Sequence, residues 1–187
     1  LDVISNFKCL SRCPFATFIE MRSSNTICLL FLSAIFCTQE IAFAQQNKID
    51  SLIALVKNDK EDTNKVNHLY WLAREYQGIS GFQSALTNGK LALTLAKELK
   101  WKKGEALAYH SIASNYYYHG NYPEVLTNAF ASLKIKEELG DKAGMADSYT
   151  VIGIAYYRRG NFTETVKYST NALQIYEQAG NKQRRAL

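Results

Sequence analysis

The sequence predicts an all-α protein, a solenoid of stacked antiparallel helix pairs, and three observations carry that prediction. Residues 102–141 reappear position by position in residues 142–181, with fourteen of the forty aligned pairs identical, among them Gly104/Gly144, Tyr109/Tyr149, Ile112/Ile152, Tyr116/Tyr156, Gly120/Gly160 and Leu133/Leu173. A weaker copy occupies residues 62–101. Within each copy the apolar positions recur at spacings of three and four, the period of an amphipathic helix. Gly120-Asn121, Gly140-Asp141 and Gly160-Asn161 break that period at regular intervals, where glycine can take the left-handed conformation that caps a helix. A fixed period of this length marks a solenoid, which folds through neighbour contacts and commonly works as an extended binding surface.

Residues 1–20 precede the first methionine, Met21, and have no assigned role; translation from upstream of the true start and a short N-terminal anchor both account for them. Residues 21–44 read as a secretory signal peptide. Arg22 is followed by the apolar run Ile27 to Cys37 and by Ala42-Phe43-Ala44 before Gln45. That run is shorter than the roughly 20 residues of a spanning helix. A lipoprotein reading through Cys37 meets bulky Phe36 where a lipid-attachment box would carry a small residue. All four cysteines, Cys9, Cys13, Cys28 and Cys37, lie before the expected cleavage site, so the exported domain must be held by packing and not by disulfides. The expected location is the periplasm or cell envelope of a bacterium.

Residues 45–61 hold a short amphipathic segment, Ile49 to Lys57, expected to cap the solenoid. In the first unit, residues 62–101, the stripe is Val66, Leu69, Leu72, Ala73 and Tyr76, then Phe82, Ala85, Leu86, Ala92, Leu93 and Leu95, with Ser80-Gly81 at the turn. The second unit, residues 102–141, has Ala106, Tyr109, Ile112, Ala113, Tyr116 and Tyr117 on its first helix. Its second helix opens with Pro123 and Glu124, where a missing N–H is harmless and a negative charge meets the positive end of the helix dipole. Val125, Leu126, Ala129, Ser132, Leu133, Ile135 and Leu139 are its expected buried stripe. In the third unit, residues 142–181, Tyr149, Ile152, Gly153 and Tyr156 are followed by Val166, Ala172, Leu173 and Ile175. Residues 182–187 align with the start of a fourth unit, and an unfinished unit would leave the 162–179 helix uncovered and prone to self-association.

The pattern resembles the tetratricopeptide repeat. The matching residues are Tyr109, Ile112, Ala113, Tyr116, Gly120, Tyr122 and Ser132 in one copy, and Tyr149, Ile152, Gly153, Tyr156, Gly160, Phe162 and Ala172 in the next. The 40-residue period exceeds the usual ~34 and approaches the HEAT and armadillo range, but the Gly-Asn-aromatic turn and the small slot after a large residue belong to the tetratricopeptide pattern. The sequence departs from it at Gly89, Ala129 and Ser169, where an aromatic is common, and at Glu137 and Glu177, where a proline closes the repeat; looser packing, or filling from Phe130 and Tyr168, is expected there. The chain is also similar to exported tetratricopeptide regions that precede histidine kinases or nucleotide cyclases. The resemblance implies that the first helices line a concave groove for a protein or peptide, with Asn67, Tyr70, Arg74, Gln77, His110, Ser114, Tyr117, Tyr118, Asp147, Thr150, Tyr157 and Arg158 exposed in it. Tyrosine and arginine are the types that most often dominate interface energetics. The lysine–asparagine clamp of chaperone-binding members is not implied, since Arg74, Ser114 and Ile154 stand in its slot.

Nothing in the sequence carries catalytic chemistry. No H-E-x-x-H, G-x-S-x-G, G-x-x-x-x-G-K or G-x-G-x-x-G pattern occurs, and His68, His110 and His119 fall at different repeat positions. No enzymatic activity, cofactor or metal is expected. Asn161-Phe162-Thr163 is a formal glycosylation sequon but reads as the repeat turn. The net charge of +5 is mild and scattered, so nucleic acid is not an expected partner. Two readings stand foremost, a free exported interaction module and the sensor region of a signalling receptor whose membrane and output segments lie outside these residues. A basic surface for nucleic acid or cell-wall polymer is the third.

Overall fold

The computed structural model of the chain describes residues 45–178, and the expected leader, signal peptide and start of a fourth unit lie outside them. From Asn47 onward the chain forms one compact unit. Seven helices follow one another: α1 over 45–58, α2 Thr63–Gly78, α3 Phe82–Glu98, α4 Lys102–Tyr118, α5 Tyr122–Glu138, α6 Lys142–Arg158 and α7 Phe162–Gln178. Each of the last six packs antiparallel on its neighbours, because a three-residue turn leaves no other arrangement. No described helix is long and apolar enough to cross a membrane.

A left-handed residue closes a helix every 20 residues. Ser80, Lys100, Gly120, Gly140 and Gly160 all have φ between 54° and 74°. Each turn makes the same two hydrogen bonds: the left-handed residue donates to a carbonyl three back, and the next residue to one five back, as in Gly120 to Tyr117 and Asn121 to Tyr116. This is the Schellman arrangement, which satisfies the carbonyls left over at a helix end. The following residue then starts the next helix. Asp62, Asn121, Asp141 and Asn161 accept from amides in the first turn of the helix they precede.

Helices α2, α4 and α6 lie side by side, whereas the backbones of α3, α5 and α7 stay farther apart and α5 meets α7 through the rings of Phe130 and Tyr168. Curvature follows from that asymmetry, with the first helices on the inner side. The core runs between the layers: Leu72, Ile112 and Ile152 are buried, as are the small neighbours Ala73, Ala113 and Gly153. At Gly153 a β-carbon would lie 3.0 Å from Ser169 Oγ, a tight contact that the glycine avoids as α7 packs close. Tyr156 stacks on Tyr168 with ring centroids 5.6 Å apart, and Phe130 meets the same ring edge-on at 5.7 Å.

Two expectations fail. Packing at the slot held by Gly89 and Ala129 is not loose: both are buried, and a β-carbon on Gly89 would sit 3.1 Å from Ile112 Cγ1. Leu139 is exposed, because it stands at the end of α5 where the chain turns outward. The face of the 162–179 helix that was expected to be uncovered is exposed, with Val166 at 65% and Leu173 at 38%. Among the described residues no helix packs on that face of α7, whose buried residues are Ala172 and Tyr176.

Candidate functional site

The inner face is built from α2, α4 and α6, and each of the expected groove residues lies on one of them. Two clefts open among them. The first, of about 180 Å³, lies between α2 and α4 and is lined by Tyr70, Arg74, Gln77, His110, Ser111, Ser114 and Tyr118. The second, wider and more open, is lined by Tyr117, Tyr118, His119, Gly120, Tyr122 and Arg158 at the turn end of α4. Of the expected residues, Asn67, Asp147, Thr150 and Tyr157 line neither. Asn67, Asp147 and Thr150 are half-buried, and Tyr157 is exposed at the edge beside Phe162.

In the first cleft Arg74 is the one charged lining residue. Its guanidinium sits 5.3 Å from the ring centre of Trp71 and 6.0 Å from that of Tyr70, within cation–π range of both. His110 is more deeply set. Its Nδ1 is buried without a hydrogen-bond partner in the protein. Burial, and after it the positive Lys136, pull its pKa from 6.5 down to about 4; Asp147 opposes the shift and Arg74 adds to it. The imidazole is therefore neutral at neutral pH.

Beneath His110 lies a polar pair that sequence reasoning missed. Lys136 is buried, its Nζ donates to Ser148 Oγ at 3.0 Å, and burial lowers its pKa against the pull of Asp147 and Asp141. Tyr176 donates from its hydroxyl to Asp147 Oδ1 at 2.8 Å. Ala96, Lys136 and Tyr176 occupy one repeat position, buried in all three units. Three chemistries in a single buried slot were a signal available in the aligned copies.

At the second cleft Arg158 donates to Tyr117 Oη at 3.4 Å, and that hydrogen bond leads the causes that raise its pKa. Tyr117 meets Tyr118 edge-on at 5.5 Å. His119 packs on Phe82 at 3.6 Å between ring centres. Among the described residues no group of three or more His, Cys, Asp or Glu is placed to hold a metal ion.

No protein-family model matches this sequence, and no curated protein matches it. Solved structures do. The TPR domain of Arabidopsis FLU superposes with a TM-score of 0.58 at 20% identity, over 60% of this chain and 95% of that one. A Rap protein complexed with competence and sporulation factor gives 0.63 at 21% identity over 75% of this chain, and a signal-transduction ATPase with a tetratricopeptide repeat sensor from Pyrococcus horikoshii gives 0.64 at 23% over 76%. The chain spans 41% of that Rap protein and 23% of the ATPase. The chain's all-helical fold of sequential antiparallel helices matches that of these tetratricopeptide-repeat superhelices.

Proposed function

We propose that the repeats form an exported, non-catalytic protein-interaction module that binds an extended protein or peptide segment along α2, α4 and α6. The observation that carries this reading is the inner face itself, where a polar cleft and a tyrosine-rich one open side by side with Arg74 and Arg158 among their linings. Such residues contribute large contact area at low entropic cost. The Rap protein that shares the fold was solved with competence and sporulation factor bound. A peptide array probed with this protein tests the reading: hits abolished by Tyr117→Ala combined with Arg74→Ala support it, and hits unaffected by that pair overturn it. Export is tested by N-terminal sequencing of protein recovered from the envelope fraction, where a start at Gln45 is expected.

The second reading, the sensor region of a larger signalling protein, draws support from the Pyrococcus horikoshii ATPase, in which a tetratricopeptide repeat sensor is one part of a longer chain. Sequencing the reading frame beyond Leu187 separates the two. A hydrophobic span of about 20 residues followed by a kinase or cyclase domain selects the sensor, and a stop codon after one or two further repeats selects the free module.

A further inference from the structure

The repeat allows a comparison of the tyrosine-rich cleft with the same place one unit earlier. Tyr117, Tyr118 and His119 stand where the first unit has Gln77, Gly78 and Ile79. That earlier turn closes with the same left-handed geometry, at Ser80, and with the same pair of hydrogen bonds. The tyrosines at the end of α4 are therefore not required to build the turn. Their rings stand as walls and do not form one flat plate: Tyr118 meets Tyr117 edge-on at 5.5 Å, and Tyr122 lies 6.4 Å from Tyr117 with its plane tilted by 57°. Tyr118 remains 72% exposed. It also lines the cleft around Arg74, so the two clefts share a wall.

The polar chemistry of this cleft is one-sided. Arg158 offers the N–H groups of its guanidinium beyond the one given to Tyr117 Oη, and among the described residues no carboxylate pairs with it. No carboxylate or carboxamide lines the cleft. The main-chain acceptors beside it are engaged, the carbonyls of Tyr116 and Tyr117 by the amides of Asn121 and Gly120, and the carbonyl of Gly120 by the amide of Tyr122. A partner that brings carbonyls and flat apolar rings but no N–H matches such a lining, because a desolvated N–H left without an acceptor costs free energy. Resting on the groove reading above, we infer that this cleft takes a proline-rich stretch of the bound segment in the polyproline II conformation, with pyrrolidine rings against Tyr117, Tyr118 and Tyr122 and a main-chain carbonyl accepting from Arg158. That conformation makes no internal hydrogen bonds, leaves its carbonyls to the surroundings and is ordered before binding, which lowers the entropic cost of docking between aromatic walls.

The test is a titration of the whole protein, followed by NMR of the tyrosine rings and the Arg158 side chain, with two small probes, capped hexaproline and capped hexa-alanine. Both present carbonyls, but the alanine peptide carries N–H groups and lacks the rings. Hexaproline is expected to give saturable shifts at Tyr117, Tyr118, Tyr122 and Arg158 and to bind at least about ten-fold more tightly than hexa-alanine. Tyr118→Ala and Arg158→Ala should each weaken it by about ten-fold. Both side chains are exposed, and circular dichroism confirms that the variants are folded. Phe162→Ala removes an exposed ring outside the cleft and should bind as the wild type does. Equal binding of the two peptides, no saturable shift, or full binding by either cleft variant overturns the inference, as does an equal loss in Phe162→Ala, which would mark unspecific adhesion to rings. Peptide-array hits without proline leave the groove standing and remove the proline class. A hexaproline response with no array hits does the reverse.

Discussion

Helices α5 and α7 carry the same pattern forty residues apart, yet one is core and the other is surface. Leu126 and Leu133 on α5 are 8% and 6% exposed, and their counterparts Val166 and Leu173 on α7 are 65% and 38% exposed. The residues differ little in character. What differs is the next helix: α6 lies over α5, whereas among the described residues nothing lies over that face of α7. In a stack of this kind the stability of a unit resides largely in its junction with the next one.

The sharpest test of that contrast is Leu133→Ala against Leu173→Ala. The first should lower the unfolding free energy by about 2–5 kcal/mol through lost contacts and a cavity, and the second by about 1 kcal/mol or less. Urea denaturation of the purified protein measures both, and equal losses would break the comparison.

Acid should act on the middle unit through His110, whose equivalent in the last unit, Thr150, cannot titrate. With the folded pKa near 4 and the unfolded value at 6.5, the unfolded chain takes up the proton first as pH falls. The contribution is fully present above pH 6.5 and is lost toward pH 4, amounting to at most about 3 kcal/mol. His110→Phe should flatten that part of the urea-midpoint profile between pH 7 and 5; an unchanged profile would show that the imidazole is not held neutral by its surroundings.

The turns provide a smaller effect of opposite sign in different units. Lys100 takes with φ 54° the conformation that Gly140 takes with φ 66°. Lys100→Gly should therefore stabilise by about 1 kcal/mol, and Gly140→Ala should destabilise by about 1–2 kcal/mol, the strain of a β-carbon in the left-handed region. Thermal melts of the two variants check the pair. The smallest change is expected for Val166→Lys, within about 0.5 kcal/mol of the parent. Its readout is instead sedimentation: any self-association through the α7 face should decline in this variant.

Much of this was legible because repetition exposes what each position must do. The glycines at 120, 140 and 160 announced the left-handed turns, and Ser80 stood in their register. The large-small pairs at 72–73, 112–113 and 152–153 announced the core. Val166 and Leu173 lie on the face expected to be uncovered, an expectation that came from the register of the units, since periodicity identifies the side of a helix that seeks burial but not whether a neighbour supplies it. Gly89 misled: its slot was read as loosely packed or filled from Phe130 and Tyr168, whereas Ile112 fills it. The polar layer of His110, Lys136, Ser148 and Asp147 was hidden because its members come from three helices and share no motif spacing. The expected groove residues lie on α2, α4 and α6, but the division of that face into a cleft around Arg74 and another around Arg158 depends on side-chain packing that no spacing encodes.

The left-handed turns have one more consequence, for the way such a chain can lengthen or shorten. Lys100 and Gly140 end their helices with the same backbone geometry and the same pair of hydrogen bonds. A strand of polypeptide cut after one and rejoined after the other would meet itself with matching direction and matching caps. Duplication or excision of forty residues at these points leaves every remaining helix in phase, whereas the loss of a single residue rotates all that follows by about 100°. Growth of the molecule is in this sense quantised, and its tolerance to insertion is set by punctuation and not by the words between.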